Sequence, residues 1–158
     1  MSETKRSVSH ATFVLERRYK ASAARVYRAL SEPGAKAQWF TPPETWGKDE
    51  QTMDFRIGGV ETSIGGPVGG PVHAFRAVYQ DIVPNERIVY SYFMTLDDVR
   101  ISVSVSTFEL TADGDFTVLK MTEMGAYLDG FDDGGRLREE GTNELLDKLG
   151  RFVEGDWE

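Results

Sequence analysis

The feature that most constrains this chain is a change of hydrophobic period. Between Thr52 and Glu123 apolar residues recur at every second position in short segments, whereas from Arg136 to Val153 they recur at helical spacing. A period of two suits a strand with one buried face, and a period near 3.6 suits a helix with one buried stripe. A chain that groups its strands and then supplies one long amphipathic helix folds as α+β, not as a doubly wound parallel sheet.

The first strand is expected earlier, from His10 to Lys20, where Phe13, Leu15 and Tyr19 alternate with polar residues. Ser22 is a helix N-cap in type and position, and Val26, Ala29 and Leu30 follow at helical spacing. A second short helix, from about Pro33 to Phe40, ends at Pro42-Pro43. The later strands are read at Met53 to Ile57, Val60 to Ile64, Val72 to Ile82, Arg87 to Met94, Arg100 to Leu110 and Phe116 to Glu123. Gly58-Gly59, the Gly65–Gly70 loop, Pro84-Asn85, Asp97-Asp98 and Asp113-Gly114 separate them. The sheet is thus expected to have about seven strands. In the last helix Leu137, Gly141, Leu145, Leu149 and Phe152 form the expected inner stripe, with Asp132 or Asp133 as the cap. About 18 helical residues span roughly 27 Å, enough to lie along a strand of eight or nine residues.

Residues 1–9 are expected to form a tail and residues 10–158 one domain. The tail lacks the apolar segment of a secretory signal, and no run of about 18 apolar residues is present, so a cytoplasmic protein with no membrane insertion is expected. A net charge of −8 disfavours nucleic acid as a partner. Without cysteine there is neither a disulfide nor a thiolate metal site, and no motif points to a metal or a cofactor.

Several segments resemble the START-like helix-grip superfamily, often called SRPBCC. More closely, they resemble its bacterial branch related to the C-terminal domain of the activator of heat-shock-protein-90 ATPase. The segments are Ala21 to Leu30 with Pro33 and Trp39-Phe40, Asp54 to Gly59, Asp81 to Tyr90, and Phe131 to Gly134 through Gly141-Thr142 and Leu145 to Leu149. The resemblance implies a curved antiparallel sheet wrapped around the long C-terminal helix, with two short helices after the first strand. Many relatives carry Gly-Trp where this chain has Gly141-Thr142, which implies a larger or reshaped cavity here.

In such a fold alternation assigns the inward side chains. His73, Phe75, Ala77 and Tyr79 are expected inside on one strand, Ile88, Tyr90, Tyr92 and Met94 on the next, and Thr117, Leu119, Met121 and Glu123 on the last. The expected ligand contacts are therefore Phe75, Tyr79, Tyr90, Tyr92 and Met121, with His73 and Glu123 as polar anchors. To these are added Phe55 from the second strand, Leu137, Gly141 and Leu145 from the helix, and Trp39 and Phe40 as a lid or as core. His73 is otherwise a solvated residue beside a glycine loop, and Glu123 a strand-end carboxylate reaching solvent or Arg136. His10, at a strand start, carries less.

Binding of a small hydrophobic molecule is the favoured function, ahead of catalysis. The alternatives are a cyclase or hydrolase using His73, Glu123, Tyr90 or Tyr92 for proton transfer, and a chaperone-regulating interaction module by fold analogy alone. A homodimer is compatible with the sequence.

Overall fold

The computed structural model describes residues 6–47 and 49–155. The elements follow the expected order: β1 (Val8–Tyr19), α1 (Ala23–Ser31), α2 (Pro33–Trp39), β2 (Glu50–Met53), β3 (Val60–Gly65), β4 (His73–Val83), β5 (Arg87–Leu96), β6 (Val99–Asp113), β7 (Phe116–Leu128) and α3 (Arg136–Glu154). The strands form one seven-stranded sheet in the order β1-β7-β6-β5-β4-β3-β2, antiparallel throughout. This is an α+β helix-grip architecture. Among the described residues no helix is long and apolar enough to cross a membrane.

Local chemistry explains most boundaries. Ser22 caps α1, its hydroxyl accepting from the Arg25 amide at 3.1 Å. The expected tail is shorter than nine residues, because Val8 and Ser9 pair with Leu128 and Tyr127; residues 1–5 lie outside the described residues. The alternation through Met53, Phe55 and Ile57 does not make one strand. β2 stops at Met53, and the Asp54 amide donates to the Val60 carbonyl at 3.0 Å, closing a turn over Arg56 to Gly59.

The start of α3 is held by Asp132. Gly135, not an aspartate, occupies the N-cap position, at φ 69°, but the two Asp132 oxygens accept from the Leu137 and Arg138 amides at 2.8 and 3.0 Å. Gly135 is also required by packing: a Cβ there would lie 2.8 Å from the Tyr127 hydroxyl oxygen.

Further along, α3 closes on β1. The Tyr19 hydroxyl donates to the Leu146 carbonyl at 2.6 Å, and Arg17 bonds Asn143 and Asp147. Gly150 permits this approach, since a Cβ would stand 2.8 Å from the Tyr19 ring. The buried face of α3 is Thr142, Leu146, Leu149, Gly150 and Val153. The expected stripe is therefore rotated: Leu137 is 62% exposed, and Arg138, one turn before Thr142, points inward.

Candidate functional site

Between the inner faces of β4–β7 and the first part of α3 lies a cavity of about 530 Å³. That is within the range of small-molecule sites. The inner residues of β4 and β5 give it an aromatic wall. The Phe75 ring lies 4.8 Å from Tyr92, and Tyr90 lies 5.8 Å from Tyr92, 5.9 Å from Tyr79 and 6.0 Å from Phe108. Phe40 meets Phe75 edge to face at 5.5 Å.

Two polar clusters interrupt this wall. At one, Lys36 Nζ is 2.8 Å from Glu61 Oε1, and the Tyr79 hydroxyl donates to the same oxygen. At the other, Glu123 is 2% exposed. Its oxygens accept from the Tyr92 hydroxyl at 2.9 Å and the Ser106 hydroxyl at 2.8 Å. Arg138 Nη1 donates to the Tyr92 oxygen at 2.7 Å and Nη2 to Ser102 Oγ at 2.7 Å, while the closest approach of Arg138 to Glu123 is 3.7 Å. Tyr92 thus relays between the guanidinium and the carboxylate. Burial pushes the Glu123 carboxyl above its ordinary value, opposed by Arg138 and by the two hydroxyl donors.

The mouth is covered by the segment after α2. Trp46 packs on His73 with ring centres 4.5 Å apart and bridges to Pro67 in the glycine-rich loop. Lys148 of α3 reaches back to the Thr41 carbonyl at 3.2 Å and its hydroxyl at 3.1 Å. Burial lowers the His73 pKa, opposed by Asp97. Among the described residues no group of three or more His, Asp or Glu side chains is placed to hold a metal ion.

Residues 20–154, which span both polar clusters, α1, α2 and α3, match the sequence pattern of the Activator of Hsp90 ATPase homolog 1-like proteins. The chain belongs to that family. None of the curated proteins matches it. Among solved structures it is similar to an uncharacterised protein from Rhizobium leguminosarum, at 45% identity over 96% of this chain and 99% of that one, with a TM-score of 0.89. It is also similar to a protein from Rhizobium loti, at 42% identity over 93% and 99% of the two chains (TM-score 0.86). A protein from Chromobacterium violaceum follows at 29% identity over 92% and 98%, with a TM-score of 0.77.

In this family member the cavity gathers most residues singled out from the sequence. Trp39, Phe40, His73, Phe75, Tyr79, Tyr90, Tyr92, Met121 and Glu123 border it, as do Leu137, Gly141 and Leu145 of α3. Phe55 does not. Its ring packs against Tyr27 at 5.9 Å and Tyr79 at 4.9 Å, behind the wall. Trp39 is as much core as lining, 3% exposed with its indole N–H donating to the Ala29 carbonyl at 2.8 Å. His10 lies on the outer face, in a shallow depression of about 450 Å³ with Val103 and Met124. The partner of Glu123 is Arg138, not Arg136.

Sequence reasoning missed Arg138, the Lys36–Glu61 pair and the three serines of β6. Ser102, Ser104 and Ser106 are 0%, 2% and 0% exposed, while Val103 between them is 45% exposed. A usable signal existed: Phe108 and Leu110 share their parity with the serines. Ile101 breaks the parity because it is the extra residue of a bulge, Met94 pairing with Ser102 and Thr95 with Arg100.

The raised Glu123 pKa has a consequence for stability. The folded state binds this proton more tightly than the unfolded state. Between the ordinary carboxylate value of 4.5 and the raised native value, the folded state therefore carries more protons, and unfolding free energy falls as pH rises. Denaturant titrations of the wild type and Glu123→Gln across that window should show the variant gaining relative stability with rising pH. A pH-independent difference between them would contradict the burial of an ionisable Glu123.

Proposed function

We propose that this protein binds a small hydrophobic molecule that carries a polar group, in the cavity between the sheet and α3. The observation that supports this reading is the cavity itself: about 530 Å³, walled by Phe75, Tyr90 and Phe108 and ending at the Glu123–Tyr92–Arg138 cluster. An apolar wall gains by covering its surface with ligand, and a few placed polar groups fix the ligand's orientation.

The test is a thermal-shift screen against fatty acids, sterols, flavonoids and polyketide-like aromatics. A ligand at about 100 times its dissociation constant adds about 2.7 kcal/mol. In a domain of this size the melting temperature then rises by roughly 5–10 °C. Thr142 sits on the cavity wall, 9% exposed, and a tryptophan there would fill the space beside it. Thr142→Trp should therefore abolish the shift while the chain still melts cooperatively. A full shift in that variant would move the binding site elsewhere, and a flat screen with the wild type would count against the reading.

A further inference from the structure

Three basic side chains border the cavity among the described residues, Lys36, Arg138 and Lys148, and they are neutralised differently. Lys36 is in direct contact with a carboxylate at 2.8 Å, and Lys148 is spent on holding Thr41 at the mouth. Arg138 hydrogen-bonds only neutral hydroxyls, and the nearest carboxylate oxygen, on Glu123, stands 3.7 Å away. Its Nη1 bonds Tyr92 at 2.7 Å with a long 3.5 Å contact to Ser104, and its Nη2 bonds Ser102 at 2.7 Å. A guanidinium offers five N–H donors in a planar fork that matches the two oxygens of a carboxylate. Glu123 does not fill that fork: its oxygens come no closer to Arg138 than 3.7 Å and accept instead from Tyr92 and Ser106.

The serines are an independent observation. Ser102 and Ser104 are buried on the inner face of β6, where an apolar core would place aliphatic side chains. A buried hydroxyl is costly unless it is hydrogen-bonded. Toward Arg138 both serines accept, so their own O–H groups are not used in that contact, and a hydroxyl rotates to suit its partner. Ser102 and Ser104 do not line the cavity; they hold the guanidinium of Arg138, which does, at its wall.

We propose that this end of the cavity is a head-group site for the carboxylate of an amphipathic acid, held by the Arg138 guanidinium, which Tyr92, Ser102 and Ser104 position, with the apolar tail along the aromatic wall. The inference rests on the reading of the cavity as a ligand site. The ligand carboxylate and Glu123 need not collide, because the Tyr92 hydroxyl stands between Arg138 and Glu123, accepting from the first and donating to the second.

The experiment is a titration of the full chain with decanoic acid, methyl decanoate, decan-1-ol and decylamine, followed by the fluorescence of its three tryptophans, of which Trp39 and Trp46 border the cavity. These probes share a tail and differ in head group. The wild type should bind the acid roughly tenfold or more tightly than the ester and the alcohol, the range of a charge-assisted bond in a dry site. The amine should bind weakest. Arg138→Gln should erase the preference for acid and leave ester affinity within about twofold, since ester binding draws on the wall alone. Arg138→Lys should restore part of the preference as a point charge without the fork. Ser102→Ala, which keeps the guanidinium, should lower acid affinity alone. Equal binding of acid and ester by the wild type would overturn the head-group site while leaving the cavity reading intact. So would an acid preference that survives Arg138→Gln. If no probe binds, both readings fall. Should Arg138→Gln not fold, the wild-type series and Ser102→Ala still decide.

Discussion

Glu61→Ala should destabilise the protein by about 3–5 kcal/mol, the cost of leaving one partner of a buried ion pair without the other. Lys36 and Glu61 have side chains only 8% and 5% exposed. Removing the carboxylate strands the ammonium and also the Tyr79 hydroxyl that donates to it. Compensation is limited to cation–π contacts, Lys36 Nζ lying 4.7 Å from the Phe40 ring centre and 5.7 Å from that of Tyr90. The double variant Lys36→Met, Glu61→Leu should recover part of the loss, because two apolar side chains of similar size need no solvation and only the Tyr79 hydroxyl is left without its acceptor. Urea denaturation of the singles and the double, read at constant m-value, measures the coupling. A double variant no more stable than Glu61→Ala would mean that the pair is not matched in the way its geometry indicates.

The second large effect separates a core leucine from a cavity leucine on the same helix. Leu149 is fully buried and does not line the cavity, so Leu149→Ala should cost about 2–5 kcal/mol. Leu145, one turn earlier, is partly buried and faces the cavity. Shortening it enlarges a space that already exists, so the cost should be near 1 kcal/mol, mostly lost apolar contact. Parallel thermal and urea unfolding of the two variants gives the comparison. Equal costs would indicate that the space beside Leu145 is packed, and the ligand-site reading would lose its support.

Much of this fold is legible in the sequence because its strands obey a period of two. On β4, β5 and β7 the residues expected inside are inside, from Phe75 and Tyr79 through Tyr90 and Tyr92 to Met121 and Glu123. Turn chemistry is legible as well: Asn85, Asp97 and Gly114 all adopt positive φ where the strands reverse. The polar part of the site is not legible by the same rule. Counting apolar side chains rotates α3 toward Leu137, because Arg138 scores as a surface residue. It is held inside by Tyr92 and Ser102, which are distant in sequence. On β6 valines and serines alternate, and the inward parity is set only further along, where Phe108 and Leu110 fall on the serine side. The Lys36–Glu61 pair joins a short helix to a strand 25 residues later, and nothing local in either segment announces it. Long-range polar contacts leave no periodic trace.

The inward serines of β6 set two kinds of selection against each other. Ser102, Ser104 and Ser106 occupy interior volume without contributing the burial that valine would bring in the same strand. A screen for heat-resistant variants would enrich aliphatic replacements at Ser104, whose one contact is the long one to Arg138, and each would loosen the guanidinium that an incoming molecule meets. The strand therefore marks where robustness and recognition are traded, and directed evolution of this scaffold should hold these three codons fixed while it improves the rest.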